Sequence, residues 1–403
     1  MSLRESLPFF EQRHDELLQR VREWLDREPG IDQPLELGDF GGATRQFASS
    51  LGRAGLLRHA VCAPDATEPP DVRSICLIRD ELAYRSGLAD FVFAMQGIGS
   101  LPIWRFGTPE LKNKYLPGLA SGDRVGALAL SEPAGGSDVA ATSTTAQADG
   151  NYFVINGVKT WISNGGVADQ YVVLVRTGEG PGARGLSAFM VDADNPGLHV
   201  EEQIDTMSPH ALATLRFADC RVHATSRLGK AGEGFKIAMS TLDTFRPSVG
   251  ATAVGLARRA LDETLARVSE RRLFGKLMSE METVQMKLAE MQVEVEAAKL
   301  MVYRAAWLKD SGAPQITAEA SMAKYFATEA GHRVVDAAVQ LFGGRGVTRG
   351  CVIERLYRDI RPTRIYEGAS EIQKLVIGRR LLAGNRSGAT LCSRQLDRRG
   401  AKI

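Results

Sequence analysis

Glu367 stands in Arg361-Pro362-Thr363-Arg364-Ile365-Tyr366-Glu367-Gly368-Ala369-Ser370-Glu371-Ile372-Gln373, a carboxylate set between an apolar-aromatic pair and a glycine. Ile365 and Tyr366 are expected to keep water from it, which disfavours the charged form and moves its pKa up towards working pH. A carboxylate in that condition can remove a weakly acidic proton from carbon. Gly368 has no Cβ, so the backbone there can turn sharply and approach a ligand closely. Taken alone, the segment also reads as a strand-edge glutamate before a turn glycine.

Two further segments carry chemistry. Leu130-Ser131-Glu132-Pro133-Ala134-Gly135-Gly136-Ser137-Asp138 combines hydroxyls, small residues and adjacent glycines, so its N–H groups can lie against a flat polar ring or a phosphate. A plain surface turn has the same composition. Lys159-Thr160-Trp161-Ile162-Ser163-Asn164-Gly165-Gly166 offers an indole beside hydroxyl and amide groups, suited to stacking on an aromatic ring or, equally, to filling a core.

The elements that must position these residues come in three textures. From Phe9 to about Leu119 apolar residues fall at helical spacing, with Phe10, Leu17, Leu18, Val21, Trp24 and Leu25 on one stripe. Between about Val125 and Leu228 short β-rich runs take over, and Asn156-Gly157 between two of them is a hairpin signal for a compact antiparallel β domain. Beyond Gly234 the helical period returns, clearest at Met281, Val284, Leu288, Met291, Val295, Ala298, Val302 and Ala305, the seam of a bundle helix. Pro314 separates it from a helix starting near Thr317. The expected fold is α+β: an N-terminal helical domain (1–122), a central antiparallel β-barrel-like domain (123–230), a C-terminal four-helix bundle (231–386) and a loose tail (387–403).

Composition excludes several classes. At 403 residues and 44% hydrophobic content the chain must divide into two or three subdomains. Fifty basic against 48 acidic residues give a net charge of +2, no footprint for nucleic acid over the body of the chain. Five scattered cysteines with no CxxC pair indicate neither a disulfide framework nor a zinc site, and fit a reducing cytoplasm. No signal-peptide pattern opens the chain and no apolar run reaches about 18 residues, so secretion and membrane spanning are not expected. No metal site is expected.

Together, Glu367 and the two segments resemble the acyl-CoA dehydrogenase family of flavoproteins, over about Phe9 to Leu382. The resemblance implies FAD and an acyl-CoA thioester enclosed by the three domains. It gives Leu130, Ser131, Gly136 and Ser137 to the flavin ring and its ribityl-phosphate, and Trp161 and Ser163 to the far face of the isoalloxazine. Arg271-Arg272-Leu273-Phe274-Gly275-Lys276 resembles the segment whose arginine and phenylalanine reach the FAD of a neighbouring subunit, Arg271 pairing with the pyrophosphate. Gln340-Leu341-Phe342-Gly343-Gly344 resembles the loop completing that intersubunit site, although a helix cap at Gly343 would also explain the glycines. A homodimer or tetramer is thereby implied. Leu242-Asp243-Thr244-Phe245-Arg246 resembles the pantetheine-binding segment, with Asp243 accepting an amide and Arg246 near the base; in isolation both read as helix-surface charges. Tyr366 and Gly368 fall on the substrate side. The implied reaction has Glu367 taking the α-proton, its backbone N–H and a ribityl hydroxyl holding the thioester carbonyl, flavin N5 taking the β-hydride, and electron-transfer flavoprotein reoxidising the flavin.

Three departures stand out. Ala369 replaces the usual Thr and removes a hydroxyl near the FAD phosphates. Met207-Ser208-Pro209-His210-Ala211-Leu212-Ala213 is about two residues shorter than the family stretch and leaves the CoA contacts of that loop unassigned. Asp90, in Leu88-Ala89-Asp90-Phe91-Val92-Phe93-Ala94, falls where the family lines the acyl pocket. A carboxylate there favours a polar or cyclic acyl group unless it is paired, or caps a helix facing solvent. Two rival roles exist on this fold: DNA binding, for which Arg386, Arg394, Arg398, Arg399 and Lys402 would serve, and flavin monooxygenation, which typically dispenses with the catalytic carboxylate.

Overall fold

Leu17, Val21 and Leu25 are all buried on one face of the first helix, as their spacing requires. The computed structural model describes residues 7–28, 30–31, 40–208, 210–313 and 315–386; Pro209, Pro314 and the tail from 387 lie outside the described residues. Helices α1 (Gln12–Arg27), α2 (Phe40–Arg53), α3 (Val72–Arg85), α4 (Gly87–Phe106) and α5 (Pro109–Ser121) form the first layer. Helix α3 starts at Asp71, whose carboxylate accepts the Ser74 N–H, and α4 at Ser86, whose hydroxyl accepts the Ala89 N–H. Helix α3 is buried along almost its whole length, which takes Arg79 and Asp80 into the interior.

Eight strands follow: β1 (Gly126–Ala129), β2 (Thr145–Asp149), β3 (Tyr152–Ser163), β4 (Gln170–Arg176), β5 (Leu186–Asp192), β6 (Leu198–Gln203), β7 (Leu212–His223) and β8 (Arg227–Leu228). They pair in the order β6-β7-β3-β2-β4-β5-β8, with β1 beside β4. The sheet is mainly antiparallel; β4 pairs in parallel with both β1 and β2. Asn156-Gly157 is not the hairpin that its composition suggests. The β2–β3 turn lies at Gly150 and Asn151, while Asn156 and Gly157 sit inside β3 at a bulge against β7. Two observations explain it: Asn156 exchanges hydrogen bonds with Asp219, which donates its N–H at 2.8 Å, and a Cβ on Gly157 would lie 2.6 Å from Thr144 Oγ1. The glycine is there for close packing, not for a turn.

The chain then enters α6 (Gly234–Glu270), a hairpin of β9 (Arg272–Leu273) and β10 (Lys276–Leu277), α7 (Glu282–Asp310), α8 (Thr317–Phe342), α9 (Val352–Ile360) and α10 (Ser370–Arg386). Helix α8 packs against α6, α7 and α10, so the long helices form the expected bundle. The seam of α7 is buried at Val284, Met291, Val295, Ala298, Val302 and Ala305, with Leu288 partly so. One core joins the first helices to the sheet; a second runs through the bundle. Among the described residues, no helix is long and apolar enough to cross a membrane, and no group of His, Cys, Asp and Glu could hold a metal.

Candidate active site

The 130–138 loop is anchored from beneath by a charge. Lys159, fully buried on β3, donates from Nζ to the Leu130 carbonyl (3.0 Å) and to Glu132 Oε1 (2.8 Å). Glu132 also accepts from the Ser143 N–H and hydroxyl and from the Thr144 N–H. Burial alone would raise the Glu132 pKa, but Lys159 and Ser143 hold it down to about 2, while burial brings Lys159 down to about 8. The loop is therefore not a free surface turn: its root is fixed, and Ser131, Gly136 and Ser137 project from it, with Ser131 Oγ 3.4 Å from where a Gly136 Cβ would be.

Trp161 is not a core tryptophan. A bulge between Lys159 and Ile162 puts it at φ 58, and its side chain is 59% exposed. Strain at a non-glycine positive φ is kept where the surrounding structure enforces it, here a bulge that turns an indole outward beside the anchored loop. Ser163, at the end of the same strand, is half-buried.

Glu367 lies in a turn between a short 3-10 segment (Arg361–Arg364) and α10, not at a strand edge. The residue is half-buried overall, but its Oε2 is cut off from water and has no hydrogen-bond partner. Loss of solvent raises its pKa; Arg79, Arg246 and Lys324 oppose that, and Asp90 reinforces it. The direction is the one its sequence suggests, but the cause differs in part. Ile365 is 58% exposed, so it does not supply the screen expected of both flanking residues.

Arg246 and Asp243 are not surface charges. Arg246 is buried on α6 and donates to Asp243 Oδ1 at 2.6 Å, its Nε left without a partner, while Asp243 Oδ2 accepts from Thr317. Glu367 Oε2 and Arg246 Nε are thus two buried polar atoms without a partner, and the Arg246 charge acts on the Glu367 carboxylate.

Asp90 requires correction. It does not cap α4, whose cap is Ser86, and it does not face solvent or stand unpaired. Arg79 grips it in two bonds, Nε to Oδ1 (2.8 Å) and Nη2 to Oδ2 (3.0 Å), Thr252 donates to Oδ2 (2.9 Å), and Arg79 Nη1 reaches Ser248 (2.8 Å). The paired carboxylate removes the argument for a polar or cyclic acyl group. Breaking such a pair from one side strands a buried guanidinium, a loss of about 3–5 kcal/mol. Asp90→Asn should therefore lower the thermal midpoint of the holoenzyme clearly, and Arg79→Met with Asp90→Leu should restore most of it; an unchanged single variant would show the pair to be energetically idle.

At the far end of the bundle, Arg271 ends α6, and Phe274 tips the β9–β10 hairpin at φ 51 with 96% exposure. Gln340 and Gly344 are also exposed, and Gly343, at φ 62, does cap α8. Leu273 and Leu341 join one small cluster around Val268, Met278 and Val284, which brings these two segments together. They form a group separate from the 130–138 loop.

Sequence reasoning missed Arg79, Lys324 and the role of Gln373. Lys324 is wholly buried on α8 and donates to the Gly368 carbonyl at 3.0 Å, which Gln373 Nε2 also reaches at 2.8 Å. The available signal was a lysine at a helical spacing otherwise filled by small residues, Ala320, Ser321, Ala327 and Thr328.

Known proteins are similar to this chain in sequence and fold. The family description acyl-CoA dehydrogenase, N-terminal domain, matches residues 11–123, the middle domain 127–220 and the C-terminal domain 232–382. The mitochondrial short-chain specific acyl-CoA dehydrogenase of Homo sapiens is 38% identical over 392 residues, covering 93% of this chain and 91% of its own. The structure of butyryl-CoA dehydrogenase from Megasphaera elsdenii superposes with a TM-score of 0.84 at 32% identity, covering 93% of this chain and 99% of that one. An FAD complex of PigA has a TM-score of 0.83 at 27% identity, over 92% of this chain and 98% of that one.

Proposed function

Because the chain belongs to the acyl-CoA dehydrogenase family, FAD-dependent oxidoreductases acting on CH–CH groups, we propose that it converts an acyl-CoA thioester to its α,β-unsaturated product with Glu367 as the α-proton base. The observation that carries this reading is the buried, unpartnered Oε2 of Glu367 with its raised pKa. The division into domains 1–122, 123–230 and 231–386 belongs to the same reading.

The residues present fit FAD. Leu130, Ser131, Gly136 and Ser137 offer an anchored loop of hydroxyls and open backbone, Trp161 an outward indole beside Ser163, and Arg271 with Phe274, Gln340, Gly343 and Gly344 an exposed cationic and backbone-rich patch. When bound, FAD supplies the hydride acceptor. This chain's own part is to make an α-proton removable. A thioester α-hydrogen is too weakly acidic for a carboxylate in water, so the enolate-like charge must be stabilised where water is excluded. The Glu367 N–H would hold the thioester carbonyl, its carboxylate would take the proton, Tyr366 and Gly368 would shape the cleft, and Asp243 and Arg246 would meet the pantetheine arm.

The patch at Arg271 serves a partner subunit, so the protein is proposed to be a homo-oligomer, dimer or tetramer. Met286, Val293 and Leu300 support this, a stripe seven residues apart on the outer face of α7 that is 66%, 67% and 46% exposed. Electron-transfer flavoprotein is the proposed oxidant and the cytoplasm the proposed compartment. The buried thiols of Cys62, Cys76 and Cys220 are consistent with it.

A pH profile tests the base. The carboxylate must be ionised to act, so kcat/KM falls as pH drops through its pKa in the free enzyme. With that pKa raised by loss of solvent, the acid limb should lie above the ordinary glutamate range of about 4.3. A limb at or below that value would contradict the assignment.

A further inference from the structure

Glu367 and Gly368 occupy consecutive left-handed positions, φ 53 and φ 91. For a glutamate this costs on the order of 1 kcal/mol or more, and such a turn persists only where its surroundings over-determine it. Two side chains do so. Gln373 of α10 donates from Nε2 to the Glu367 and Gly368 carbonyls at 3.3 and 2.8 Å, and Lys324 of α8 donates from Nζ to the Gly368 carbonyl at 3.0 Å.

A neutral donor would suffice for a carbonyl, and Lys324 is wholly buried on α8 beside Ala320, Ser321, Ala327 and Thr328, where an ammonium is expensive. The charges around it explain its retention. Facing Glu367 are Arg79 on α3, Arg246 on α6, Lys324 on α8 and Asp90 on α4; facing Lys324 are Glu367, Arg246, Glu329 and Glu371. Arg79 is neutralised by Asp90 and Arg246 by Asp243. Among the described residues Lys324 has no such partner in ion-pair contact, so its charge is the one left for the Glu367 carboxylate to balance.

We infer that Lys324 is a positioning residue for the α-proton base, clamping the turn through the Gly368 carbonyl and favouring the ionised carboxylate with its charge. Burial brings the amine down to about 8, so it is charged at neutral pH. The inference rests on Glu367 being the base.

The test compares Lys324→Gln, which keeps a donor and loses the charge, with Lys324→Met, which loses both, in the flavin-loaded enzyme. With butanoyl-CoA in anaerobic stopped flow, Lys324→Met should slow the limiting reduction rate per bound flavin by at least about tenfold, a share of what orientation contributes. Apparent substrate affinity should change far less, the acid limb should move up, and amide exchange over 365–369 should quicken. Lys324→Gln should recover most of the rate and amide protection yet keep the shifted limb. Amide exchange needs no turnover and reads the clamp alone. Lys324→Met with wild-type rate, limb and protection would overturn the inference, as would a loss confined to flavin content or thermal midpoint. If Lys324→Met does not fold, an unshifted limb in Lys324→Gln overturns it. Retained flavin reduction by Glu367→Gln would instead defeat the reading beneath it.

Discussion

Glu367→Gln is expected to retain FAD and its oligomeric state while the reductive half-reaction slows by at least about a hundredfold, the low end for loss of a general base. Glutamine preserves the shape of the side chain and its place in the left-handed turn, so the clamp from Lys324 and Gln373 should survive. What disappears is the atom that accepts the proton. Neighbouring groups are poorly placed to substitute: Phe245 occupies the helix position next to Arg246, and Asp90 is held in both oxygens by Arg79 and Thr252. Single-turnover bleaching of the flavin checks the result, and near-normal bleaching by the variant would sink the assignment.

Arg271→Ala should weaken FAD binding and subunit association together. The guanidinium lies at the exposed end of α6, beside a hairpin that projects Phe274 into solvent, a surface that the proposed partner subunit would cover. A charge-assisted hydrogen bond to phosphate is worth about 2 kcal/mol, so loss of Arg271 should raise the Kd for FAD by about thirtyfold. Since a cofactor bound across an interface contributes its binding energy to assembly, the oligomer should dissociate at a higher protein concentration when FAD is removed. Sedimentation with and without added FAD measures both, and a fully flavinated monomer would contradict the bridging site.

The order of textures was readable because it is a matter of periodicity: Leu17, Val21 and Leu25 had to share a helix face. Asn156-Gly157 misled because the same dipeptide serves a turn and a bulge, and only the approach of Gly157 to Thr144 and the bonds of Asn156 to Asp219, 63 residues on, decide between them. Asp90 misled for a related reason. Its cost depends on Arg79, eleven residues earlier on another helix, and nothing local announces that pair. For Glu367 only the direction of its pKa followed from the sequence; the charged groups that tune it, Arg79, Arg246 and Lys324, arrive from three separate helices. Tertiary electrostatics is the part that local pattern does not carry.

The most direct measurement is anaerobic titration of the flavin-loaded protein with a panel of straight-chain, branched and cyclic acyl-CoA thioesters, followed by flavin absorbance and mass analysis of the product. The account predicts that at least one thioester bleaches the flavin and yields one equivalent of the acyl-CoA lighter by two hydrogens per flavin reduced. Bleaching by none of them, or a product that has gained oxygen once air is admitted, would contradict it.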